Sequence, residues 1–276
     1  MTTLSDQKVA IIGMGCRFPG GSDSPEKFWH LMKDQRNAVG KIPASRWDVN
    51  RFYSSQGTAS AKSYVCRGHF IDWDYKGFDA GFFNFAPIEA EYFDPQQRLL
   101  LEVSWEAMEN AGLDVSALVG TDVGVYMGGF TLDHMLNQFG GGGRSTIGAH
   151  SAAGATLTIL SNRLSYAYDF RGPSISVDTA CSSSLVALSY AVSDMRTGRC
   201  HMALVGGVNM MLRPDRPNMF VKELGIYVDY LKDKLEETKT SMTKKQEKHF
   251  QSFDKNLKEG INYYQNLFGE LKDNFG

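Results

Sequence analysis

The chain predicts an α/β fold in which helices are layered against a largely parallel sheet, and two observations carry that reading. Short apolar, β-rich runs recur at Val9–Ile12, Val123–Met127, Ser174–Val177 and Met202–Val205. Segments with apolar residues three and four apart lie between them, and strands alternating with helices in this way form parallel layers. Past residue 213 the β-runs stop, and residues 219–276 read as helix alone.

In chain order, Val9–Ile12 ends in Gly13-Met14-Gly15 and reads as a buried strand entering a tight turn. A dinucleotide fingerprint is excluded, because Phe18 occupies the position of its third glycine and Pro19-Gly20 follows in place of a helix start. Ser24-Pro25-Glu26-Lys27 supplies a cap, a proline at the first helical position and an acidic first turn, and opens a short helix with Phe28, Leu31 and Met32 on one face. Residues 40–93 mix aromatics with turn formers and sustain no period, which predicts loops and short elements.

Asp94-Pro95 opens the clearest helix, with Leu99, Leu100, Val103, Ala107 and Met108 as its stripe and Gly112 as its stop. Val123–Met127 is the next strand, followed by Phe130–Asn137 and the run Gly140–Gly143. No Gly-Lys-Ser/Thr follows those glycines, so a flexible loop is expected rather than a phosphate cradle. Ala155–Tyr168 reads as one helix with Leu157, Leu160, Leu164 and Ala167 in register, and Ser174–Val177 as a short buried strand. Ser184–Met195 carries Leu185, Leu188, Val192 and Met195 at helical spacing, before the strand Met202–Val205.

With 42% hydrophobic residues and a formal charge of −2, the 276 residues suit one or two globular domains and form no polycation for nucleic acid or anionic lipid. The cysteines at 16, 66, 181 and 200 lack the C-x-x-C pairing of zinc or redox motifs. Apolar stretches fall far short of the ~20 residues of a membrane span. These features predict a cytoplasmic, soluble protein without metal or bound cofactor.

Cys181 falls between the strand Ser174–Val177 and the helix that follows. Unpaired N–H groups and the positive dipole end of a helix favour a thiolate, which makes a nucleophile, and such amides also hold a developing oxyanion. The chemistry suggested is acyl transfer through a thioester. Plain core packing is the alternative, since free cysteine is among the most buried residue types.

The segment Val177-Asp-Thr-Ala-Cys-Ser-Ser-Ser184 resembles the active-site signature of β-ketoacyl synthases, in particular the ketosynthase domains of modular, type I polyketide synthases. The likeness continues in Val9–Gly20, Phe93–Glu102, Trp105–Gly112, Asn162–Tyr166 and Ala203–Asn209, so it spans about residues 8–213. It implies the thiolase-type fold, first half only, and membership of polyketide or fatty acid biosynthesis. It further implies Cys181 as the catalytic nucleophile, and substrates carried on the phosphopantetheine of an acyl carrier protein. Family members dimerise through this half. Their two catalytic histidines come from the second half, in His-x-x-Gly-Thr and Asn-x-Gly-His motifs, and His30, His69, His134, His150, His201 and His249 have no such neighbours.

Composition changes where the likeness ends. Residues 1–213 hold 6 Lys and 12 Arg, whereas residues 214–276 hold 10 Lys and 1 Arg. The expected organisation is a ketosynthase-like half over 1–213 and a helical tail of different origin over 214–276, as a fusion or recombined gene would give. In the tail, Phe220, Leu224, Tyr227, Val228, Leu231 and Leu235 mark one apolar face and Phe250, Phe253, Leu257, Ile261, Tyr264, Leu267, Phe268, Leu271 and Phe275 another, which predicts two helices joined as a hairpin, with one continuous helix as the alternative. Two functions follow. One is a ketosynthase-like acyltransferase acylated at Cys181 and impaired in condensation. The other is a non-catalytic interaction module that binds a partner, such as a complementary ketosynthase half, with its helical tail as the docking element.

Overall fold

The computed structural model describes residues 8–54, 62–63, 65–140 and 147–214. Residues 215–276 of the tail and residues 141–143 of the glycine run lie outside them. In order, the elements are α1 (Pro25–Lys33), β1 (Gly40–Lys41), α2 (Val49–Phe52), β2 (Arg67–Gly68), α3 (Pro87–Ala90), α4 (Pro95–Asn110) and α5 (Val115–Leu118). They continue with β3 (Val123–Gly129), α6 (Asp133–Gly140), α7 (Ser151–Ala155), α8 (Ile159–Tyr168), β4 (Ser174–Val177), α9 (Ser183–Arg196) and β5 (Met202–Val208).

The chain divides into two compact units. One holds Ile71–Leu212 with residues 8–38, and the other includes Val39–Phe70. In the second, β1 pairs antiparallel with β2, Gly40 opposite Gly68, and Trp47 sets its ring edge-on to Phe70 at 5.8 Å. This is the irregular, aromatic stretch the composition predicts.

The first unit is built on a parallel sheet in the order β4-β3-β5. Every residue of the central strand β3 is buried, as expected of a strand covered on both faces. Its side chains alternate. Val123, Val125 and Met127 join Phe93, Leu100, Leu101, Met108, Leu160, Leu164 and Tyr168 under α4 and α8, while Tyr126 packs with Ala187, Ala191 and Cys200 beneath α9.

Helix α4 follows its sequence signals closely. Asp94 caps it by accepting a hydrogen bond from Gln96 N at 2.8 Å, Pro95 takes the first position, and Gly112 follows with φ +66°. Its buried face is wider than the apolar stripe, taking in Gln96, Gln97 and Arg98. Arg98 donates to the carbonyl oxygens of Tyr75, Lys76 and Ala90, and Gln97 to those of Ala153 and Gly154, so the polar start of α4 ties down the Tyr75–Lys76 turn, α3 and α7 around it.

Three expectations are corrected. Val9–Ile12 pairs with no strand of the described sheet and is exposed, Ile11 at 76%. Its glycines serve helix packing: a Cβ on Gly13 would meet the Ala107 carbonyl oxygen, and one on Gly15 the Val103 oxygen at 2.6 Å. The single helix expected over Ala155–Tyr168 is two, α7 and α8, because Thr156 turns to extended backbone (φ −90°, ψ 141°). Finally, α9 is helical where its periodicity predicts, yet the face against the sheet is Ser183, Ala187, Ala191 and Asp194, and Leu185 is 70% exposed.

Candidate active site

Parallel strands present their carboxyl ends at one edge, where sites of open α/β sheets collect. Here β4 runs into Asp178–Cys181, β3 into Phe130–Asp133 and β5 into Asn209–Leu212. A polar network stitches the last two together. Gln96 Nε2 donates to Thr131 O at 3.0 Å, Met210 N to Gln96 Oε1 at 3.3 Å, and Leu212 N to Asp133 Oδ2 at 2.9 Å, while Thr131 Oγ1 donates to Asn209 Oδ1.

After β4 the chain makes a single 3-10 turn, Ala180–Ser182, and enters α9. Cys181 stands in that turn and is exposed, whereas Cys16 and Cys200 are buried and burial pushes both of their thiols up. The core alternative therefore describes Cys16 and Cys200 and not Cys181. Ala180 adopts φ +55°, a left-handed conformation that costs a non-glycine residue on the order of 1 kcal/mol.

Side chains of the same segment hold this turn. Asp178 Oδ1 accepts from Ala180 N at 3.0 Å, Ser183 Oγ accepts from Thr179 N at 2.9 Å and donates to Ala180 O at 2.7 Å, and Ser182 Oγ donates to Thr179 O at 2.9 Å. Ser182 and Ser183 therefore act as local braces, which is how short hydroxyl side chains compete for backbone groups at helix starts.

Beneath the turn lies a floor without side chains. Gly128 pairs with Val177 on one side and Gly207 on the other. A Cβ on Gly128 would stand 2.6 Å from Ser183 C and Ser184 N, and one on Gly207 2.7 Å from Ser184 Cβ. The start of α9 thus rests directly on the backbone of β3 and β5. Its far end is fixed where Tyr126 Oη donates to Asp194 Oδ2 at 2.7 Å and Arg199 Nη1 donates to Asp194 Oδ1 at 3.2 Å. Neither the glycine floor nor the Tyr126–Asp194 tie was visible from the cysteine motif, because both come from strands distant in sequence.

Other motif blocks prove to be architectural. Arg163, 6% exposed, pairs with Glu89, donates to Gln97 Oε1 and lies 3.9 Å from the centre of the Phe93 ring. Ser165 and Ser161 hydrogen-bond Ser174 and Ser176, joining α8 to β4. Two of the described histidines have partners of their own. His134 Nε2 lies 3.0 Å from Tyr92 O, and His201 pairs with Asp122 at the opposite, amino-terminal edge of the sheet, about 20 Å from the cysteine edge for strands of this length. Among the described residues no His/Cys/Asp/Glu group suits a metal ion, and no helix is long and apolar enough to cross a membrane.

The family described as Beta-ketoacyl synthase, N-terminal domain, matches residues 6–226. Among curated proteins, the phenolphthiocerol synthesis polyketide synthase type I Pks15/1 of Mycobacterium bovis is 44% identical over 224 residues, 81% of this chain and 10% of its own length. The compactin nonaketide synthase, polyketide synthase component, of Penicillium citrinum is 44% identical over 212 residues, 76% of this chain and 7% of its own. This chain therefore spans a tenth or less of these relatives. Among solved structures, the oxazolomycin ketosynthase domain of Streptomyces albus JA3453 superposes with a TM-score of 0.71 at 34% identity, covering 79% of this chain and 37% of that one. The ketosynthase from module 6 of the bacillaene synthase of Bacillus subtilis 168 gives 0.67 at 34% identity, covering 78% and 34%. Residues, fold and relatives agree, and the chain belongs to the β-ketoacyl synthase family, among the thiolase-fold ketosynthases of polyketide synthases.

Proposed function

We propose that this polypeptide accepts an acyl group on Cys181 from a thioester and does not, by itself, form carbon–carbon bonds. The exposed sulfur in a braced turn at the start of α9 carries the reading. Cys181 Sγ attacks the thioester carbonyl, the new S–C bond forms as the old one breaks, and the departing thiol leaves with the proton given up by Cys181. The α9 start lends N–H groups to the developing oxyanion.

Donor chemistry follows from family membership: acyl chains on the phosphopantetheine of an acyl carrier protein in the cytoplasm, with no cofactor of the enzyme's own. Condensation in this family uses two histidines in motifs that the chain's six histidines do not form. Oxyanion donors are worth about 3–4 kcal/mol each and positioned acid–base groups about 10²–10⁴ in rate, so acylation survives their absence far better than decarboxylative condensation does. The boundary proposed for the ketosynthase-like part remains residue 213, with 214–276 a helical tail.

Intact-mass analysis after incubation with an acyl thioester tests the reading. Wild-type chain gains one acyl mass and Cys181→Ala gains none. Equal gain in both, or elongated product from this polypeptide alone, overturns it.

A second reading rests on the outer face of α9. Leu185 is 70% exposed, Tyr190 50% and Leu188 39%, and apolar surface of this kind invites a partner. A module that binds a complementary ketosynthase half or a second copy, with the helical tail as a further docking element, would use it. Tight association without any mass gain at Cys181 selects this reading over the first.

A further inference from the structure

We propose that Ser183 is a positioning residue for Cys181, fixing through its hydroxyl the turn on which the sulfur is carried. The inference deepens the acyl-transfer reading and rests on it.

Ser183 is 5% exposed, while Ser182 and Ser184 on either side are exposed. Its Oγ accepts from Thr179 N at 2.9 Å and donates to Ala180 O at 2.7 Å, so one hydroxyl grips the chain at two consecutive residues just before the cysteine. The grip encloses Ala180 at φ +55°, the conformation that an alanine leaves most readily once released. Thr179 Oγ1 and Ser182 Oγ also meet, at 2.9 Å, but that pair is exposed and water replaces such a bond at little cost. The Ser183 side is less open to water, since Ser183 is buried and its backbone rests on Gly128. Ser183 is thus the brace that is buried, bifunctional and seated on the sheet. Cys181 meets the thioester carbonyl within a narrow range of approach, and misplacement by about 1 Å costs up to about a hundredfold in rate.

The test uses the full 276-residue chain and two pairs of variants that differ by a hydroxyl. Wild type is compared with Ser183→Ala, and Ser183→Thr with its isostere Ser183→Val, each first checked for folding by thermal unfolding. Acylation of Cys181 by butyryl-N-acetylcysteamine is followed by intact mass, and alkylation by iodoacetamide is measured in parallel. In every pair that folds, the hydroxyl-bearing member reaches a saturating acylation rate about tenfold higher, with half-saturating thioester concentrations equal within about twofold. Equal saturating rates within a folded pair, or a difference confined to half-saturation, overturn the proposal. If the wild type is alkylated but takes up no acyl group, the acyl-transfer reading fails instead. The alkylation rates then judge the brace alone: slower alkylation without the hydroxyl supports it, and equal alkylation overturns it.

Discussion

A methyl group added at Gly13 would run into the Ala107 carbonyl oxygen, because the Gly13–Gly15 segment lies against the backbone of α4. Overpacking of this kind costs typically about 1–3 kcal/mol. Gly13→Ala is accordingly expected to lower unfolding stability in urea by that amount, and an unchanged midpoint would show that the segment does not rest on α4. Glu102 makes a different residue-scale prediction. Burial pushes its carboxyl up, against the opposing influence of the Trp73 indole, which donates to Oε2 at 3.0 Å, and of Arg17. A carboxyl raised in the folded state contributes stability that is full below its unfolded value of about 4.3 and lost as pH rises through the folded value. Glu102→Gln keeps an acceptor for Trp73 and carries no charge. Its thermal midpoint relative to wild type should climb as pH rises from 4 through the raised range, and a flat difference across that range would contradict the assignment.

At the scale of elements, α9 shows what the sequence discloses and what it withholds. Its span and the strand before it follow from local pattern: Ser174–Val177 is a strand as read, although at the sheet edge it is half-buried and not the buried strand expected, and helical spacing begins just past Cys181. Which face is buried does not follow, because two stripes share the spacing. Leu185, Leu188, Val192 and Met195 form one, and Ser183, Ala187 and Ala191 the other; the glycine floor at Gly128 and Gly207 admits the start of the helix too close for leucines and selects the small one there, while Met195, at the far end, packs against the Tyr126–Ala191 cluster. Val9–Ile12 reads as strand and is not one for a similar reason, since an apolar run specifies β-preference but not the strand it pairs with. The break between α7 and α8 escaped because Thr156-Leu157-Thr158 keeps the apolar period while the backbone departs from helix. The cysteine itself was legible because its chemistry depends on a local junction, whereas its support comes from β3 and β5. For α9 the consequence is measurable. Leu185→Lys with Leu188→Lys should leave unfolding free energy within about 0.5 kcal/mol of wild type and reduce concentration-dependent sedimentation, whereas a loss above about 2 kcal/mol would place that face in a core.

Across the whole first unit, three parallel strands deliver three exit loops to one edge, and two of those loops are cross-tied by Gln96, Thr131 and Asp133. The blocks shared with polyketide ketosynthases are spent mostly on this scaffold: Arg98 and Gln97 bind carbonyl oxygens of α3 and α7, Arg163 seats on Phe93, and serines join α8 to β4. One block carries the sulfur. The row formed by Val177, Gly128 and Gly207 shows how the two are linked, since the middle and one flank of that rung have no side chain. The altitude of the nucleophile above the sheet is therefore set by atoms that are missing. A lineage wishing to lift or lower the sulfur against its acyl donor has a one-carbon adjustment available in the pavement, without altering any group that touches the substrate.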